Sequence, residues 1–174
     1  SLDEHRQQHV DTTFLAVLIQ LRQSGWFVQN DIQQYQLVHQ ICRKKYFSEQ
    51  RFRFMTEWCP SSLLQIYIIN GYLPLHWMTD AKPRFEIMLD TMFRFYPKWK
   101  GFHALFQKAD FGRTAFVLAC EKLTRETVIE VVETILVRFS GTTPSLNIGD
   151  VLVMAAIDNN SSLDGLYFIM RRHP

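Results

Sequence analysis

Four short patterns hold the residues of this sequence whose types and spacing could do chemistry. His39-x-x-Cys42 has the spacing of two zinc ligands, an imidazole and a thiolate about one helical turn apart. His5-x-x-x-His9 would set two imidazoles on one face of a helix. Cys120-Glu121 places a thiol beside a carboxylate. His76, within Asn-Gly-Tyr-Leu-Pro-Leu-His-Trp over 70–77, stands near a helix start as a metal ligand, a catalytic base or a packed structural residue. None of the four is completed by its neighbours. A zinc site needs further ligands, and no third or fourth stands close to either histidine pattern. Cys120 has no adjacent base to take its proton. A Gly-rich phosphate loop, a G-x-S-x-G elbow and an H-E-x-x-H helix are missing from the sequence. The expectation is a chain without catalytic residues, metal or cofactor, and not an enzyme. His39 and Cys42 then read as core residues, and His5 and His9 as part of a solvated face.

Charge narrows the partners. The 174 residues carry 19 Lys and Arg against 17 Asp and Glu, and this net charge of +2 is too even for a nucleic-acid binder. The densest positive run, Arg43-Lys44-Lys45 with Arg51 and Arg53, reads as a solvated helix end, favoured because cations suit helix C-termini. Its functional alternative is the docking of an acidic partner. With 47% hydrophobic residues the chain can bury a core. The three cysteines are widely spaced and odd in number, which suggests reduced thiols and an intracellular, cytoplasmic setting. The apolar runs at 14–19 and 151–157 are too short to span a bilayer.

The elements that must position these residues show a period. His39, His76, Val117 and Val153 occupy matching places in four apolar helix starts, at intervals of 37, 41 and 36 residues. Twenty-one residues beyond His39, His76 and Val153 stand Pro60, Pro97 and Pro174, each placed to stop a helix. The second helix of each unit carries an apolar stripe: Phe52, Met55 and Trp58; Phe85, Met88, Leu89, Met92 and Phe95; Val128, Val131, Val132 and Ile135; Leu163, Leu166, Ile169 and Met170. A further helix is expected over 9–23. The 41-residue interval adds about four residues in the segment 98–110, whose Trp99, Phe102, Leu105 and Phe106 form either an extra helical turn packed locally or an aromatic contact surface.

A unit of turn, Pro-Leu-His helix start and two antiparallel helices resembles the ankyrin repeat. Gly71, Pro74, Leu75 and His76 carry the resemblance most fully, with Asp31, His39 and Cys42, then Gly112, Thr114, Ala119 and Cys120, then Ala155 and Ala156 in the other units. Leu73 replaces a capping threonine, Val117 and Val153 replace histidine, and Ile41 and Met78 replace small residues. The resemblance implies an all-α ankyrin-type solenoid of about four helix-turn-helix repeats with short β-turn fingers. The repeats run approximately 29–66, 67–107, 108–144 and 145–174, and residues 1–28 supply an N-terminal capping helix or the outer helix of a preceding repeat. It implies that His76 hydrogen-bonds to the adjoining loop.

By the same resemblance the chain is a non-catalytic scaffold that binds another protein through its concave face and finger loops. The implied contacts are Gln33, Tyr35, Arg43 and Lys44; Ile69, Asn70, Tyr72 and Asp80; and Phe111, Arg113, Glu121 and Lys122. Tyr35, Tyr72 and Arg113 recur once per repeat and form the expected centre of the interface. No nucleic acid, membrane insertion or small-molecule cofactor is expected. The alternative is a structural subunit held permanently within a larger complex.

Overall fold

A computed structural model describes residues 2–97 and 99–140. The described residues are mostly helical and hold nine α-helices and no strand, so the all-α expectation stands. Residues 145–174, expected as the last repeat, lie outside them together with 141–144. The chain divides into two compact units, Ser1–Gln65 and Ile66–Pro174.

The first unit opens with α1 (Leu2–Gln23), longer at its start than the expected 9–23. Gly25, at φ 77°, ends it, and Trp26 N–H reaches back to the Leu21 carbonyl at 3.0 Å. Two short helices follow, α2 (Gln29–Gln34) and α3 (Leu37–Arg43), separated by Gln36 in the left-handed region at φ 49°. This departs from the expected β-turn finger before His39. The Asp31 carboxylate accepts the Val28 N–H at 2.7 Å, Ile32 is buried, and Gln29 Nε2 donates to the Trp58 carbonyl, which together hold 29–34 helical. Helix α4 (Glu49–Trp58) packs on α1 and α3, burying Phe52 and Met55.

In the second unit α5 (Pro74–Trp77) is a single turn with proline in its first turn. Helix α6 (Lys82–Phe95) buries Phe85, Met88, Leu89 and Met92. The segment 98–110 supplies α7 (Trp99–Phe106), whose Phe102, Leu105 and Phe106 are all buried. Phe106 lies 5.1 Å from Phe116, tying it to α8 (Ala115–Leu123). Of the two readings of this segment, local packing holds for these three side chains. Helix α9 (Arg125–Ser140) buries Val128, Val131, Val132 and Ile135 and packs along α6. The Arg138 guanidinium pairs with Asp90 and Glu86, and Lys82 with Glu130, along the same seam.

Pro60 and Pro97 act as expected, and Pro174 lies outside the described residues. Helices α4 and α6 both stop two residues before a proline, and the intervening residues adopt nearly the same backbone: Cys59 at φ −130°, ψ 75° and Tyr96 at φ −126°, ψ 69°. The proline ring excludes the residue before it from the helical region.

Candidate functional site

The expected contact residues from 69 onward fall on two turns of the second unit and on the ends of its helices. The first turn spans 67–72. Tyr67 N–H donates to the Tyr72 carbonyl at 2.7 Å, Gly71 N–H returns to the Tyr67 carbonyl at 3.0 Å, and Asn70 Oδ1 accepts the Tyr72 N–H. Gly71 sits at φ 69°, where glycine has no steric penalty. The second turn spans 108–114. An antiparallel bridge joins Lys108 to Thr114, Ala109 N–H donates to the Arg113 carbonyl at 2.8 Å, and Gly112 N–H donates to that of Ala109.

These turns lie against each other. Asp110 N–H donates to the Asn70 carbonyl at 3.1 Å. A Cβ on Gly71 would stand 2.9 Å from the Asp110 backbone nitrogen and 2.8 Å from its carboxylate oxygen, so the approach requires glycine. Asn70, Ile69 and Phe111, predicted from the sequence, are thus brought to one place, and Ile68 joins them unpredicted. Ile68 is 87% exposed, Ile69 72% and Phe111 97%.

Phe111 also bears a backbone cost. It occupies the third position of the turn over 109–112 at φ 66°, ψ 16°, a conformation that such turns ask of glycine or asparagine. A bulky side chain there is disfavoured by roughly 1–2 kcal/mol.

The other contact positions are placed differently. Tyr72 is half-buried, its ring stacked 4.9 Å from His76 and tilted against Trp77 at 5.0 Å, so it braces the base of the first turn instead of presenting a free anchor. Arg113 donates from Nη2 to both oxygens of Glu121 at 2.8 Å, clamping the second turn to α8. Asp80 pairs with Arg84, and Lys122 is exposed at the end of α8. In the first unit Tyr35 is 57% exposed at the end of α2, Arg43 and Lys44 are exposed at the end of α3, and Gln33 bonds Ser61 at 2.6 Å.

His76 and His39 have structural partners. His76 Nδ1 accepts the Leu73 N–H at 3.1 Å, within its own helix start and not from an adjoining loop. It supplies the cap that Leu73 cannot, because the imidazole at the third helical position reaches back to the orphan N–H. His39 is buried and its Nε2–H donates to the Gln65 carbonyl at 2.8 Å. Burial holds its pKa below the usual histidine value, Arg43 pushes the same way, and the Gln65 bond opposes both. Cys42 is buried and Cys120 half-buried, and no metal-holding group of His, Cys, Asp and Glu is gathered among the described residues.

Sequence reasoning missed Ile68 and the pairing of Asn70 with Asp110. The Asn-Gly at 70–71 was a sufficient signal for the turn, but nothing local announces a bond between residues forty positions apart. Among the described residues no helix is long and apolar enough to cross a membrane. No family model, no curated protein and no solved structure matches the chain.

Proposed function

We propose that this chain is a non-catalytic protein-binding scaffold of ankyrin-like repeats, with its partner docking on the paired turns 67–72 and 108–114. The carrying observation is Phe111. Its side chain is almost wholly exposed, buries nothing in the free chain and holds an unfavourable backbone conformation, a cost that recurs at ligand clamps. Ile68 and Ile69 stand on the adjoining turn, locked to it by the Asp110–Asn70 bond, so the three form a preformed apolar anchor. The helix pair α8–α9, the helix start at Pro74 and the turns ahead of α5 and α8 support the repeat reading.

Crosslinking followed by mass spectrometry, comparing the natural chain with Ile69→Ser/Phe111→Ser, tests the site. Partner capture is expected to fall at least tenfold, since two apolar anchors are each worth about 1–2 kcal/mol. Undiminished capture removes the assignment. A structural subunit is the second reading, favoured by the exposed Val10, Phe14 and Val17 on α1. A purified chain that sediments as a non-aggregating monomer argues against it.

A further inference from the structure

A cleft of about 760 Å³ lies in the first unit, between the first turns of α1 and the segment leading into α4. Its walls carry three charged side chains, Arg6, Asp11 and Glu49. Both carboxylates are already neutralised: Asp11 by Arg51 at 2.6 Å and Glu49 by Arg53 at 2.7 Å. Arg51 and Arg53, which the sequence groups with the basic run, are therefore consumed internally. Arg6 has no carboxylate partner among the described residues. Tyr46, exposed at the edge of the cleft, carries the Lys45 ammonium 5.9 Å from its ring centre, and Lys44, two positions earlier in the chain, is exposed. Among the described side chains, the charge at this cleft left without an opposite partner is positive, and the apolar lining comes from Val10, Tyr46 and Phe47.

We infer that this cleft is a second docking site, taking an acidic peptide segment of a partner protein with an apolar residue seated against Tyr46 and Val10. The cations at the rim steer and orient such a segment, while the aromatic edge supplies contact area. The site is independent of the paired turns, which belong to the other unit.

The test uses the full chain and a fluorescein-labelled peptide of about twelve residues, Glu-rich around one Phe, with Gln replacing Glu in the control. Fluorescence anisotropy is expected to show binding of the acidic peptide, weakened by added salt, and much weaker binding of the Gln version. Arg6→Glu/Lys44→Glu/Lys45→Glu is expected to lower affinity about tenfold or more, the sum of three modest exposed pairings. Arg94→Glu/Lys100→Glu/Arg125→Glu makes the same charge change at exposed positions of the second unit outside the paired turns and is expected to alter it less than about twofold. Circular dichroism checks that both variants keep their helices. Equal losses in the two variants, no preference for Glu over Gln, or tighter binding to oligothymidine or to phosphatidylserine vesicles than to the peptide would each overturn the inference. Failure of this cleft leaves the paired turns untouched, because their test reads a different unit.

Discussion

Gly71 and Phe111 sit on neighbouring turns with opposite problems. Gly71 uses a left-handed conformation that suits it and a close approach that admits no Cβ. Gly71→Ala is expected to lose about 2–3 kcal/mol in urea unfolding, since both backbone strain and the clash with Asp110 N arise. Removing the Asp110 side chain as well should recover little, because the backbone contact at 2.9 Å remains. Phe111 is the mismatch. Phe111→Gly is expected to stabilise the free chain by about 0.5–1 kcal/mol, the strain relieved less the added freedom of the unfolded chain, while weakening partner capture. Stability and binding moving in opposite directions is the signature of a side chain retained for an external contact. The sequence placed Phe111 at a contact position without revealing its strain, because Gly112 one residue later was the obvious candidate for a left-handed turn residue.

At the scale of elements, apolar spacing was the most legible signal. The stripe of α9 was read residue for residue and that of α6 except at Phe95, which is half-buried, while Phe93 is buried unpredicted. Each helix buries one face against the other, and the 3.6-residue period marks that face. Helix α2 was not legible: Gln29–Gln34 has one apolar residue, and its helicity depends on Asp31 and on the distant Trp58 carbonyl. The joint between α8 and α9 carries strain that the sequence does not show. Thr124 caps α9 through Thr127 N–H at 3.3 Å, yet adopts φ 96°, ψ 150°, a region held almost solely by glycine. Thr124→Gly is expected to raise stability by about 1 kcal/mol, because the strain relieved exceeds the few tenths lost when glycine replaces a threonine cap. Chemical denaturation of the two chains decides it.

The whole molecule is two units, each with its own buried cluster, and acid acts on the first through His39. Its bond to the Gln65 carbonyl continues from Gln65 Nε2 to the Gln33 carbonyl and from Gln33 to Ser61, linking α2, α3 and the turn at Pro60–Leu64. The folded form holds His39 neutral, while the unfolded chain takes up a proton near pH 6.5. The stabilisation is therefore complete above about pH 6.5 and falls away as pH drops toward and through the lowered folded value. Urea midpoints measured across this range should decline for the natural chain, and the decline should flatten in His39→Leu. A slope unchanged by the substitution would assign the acid sensitivity to other groups.

The joint at Thr124 has one more consequence. With Leu123 closing one helix and Arg125 opening the next, a lone residue connects them, and the chain has no slack there. Each residue added to a helix advances its register by about 100°, so a one-codon insertion at this point would turn the valine stripe of α9 away from α6. The reading frame of the hairpin is as constrained as its composition: length, here, is inherited information.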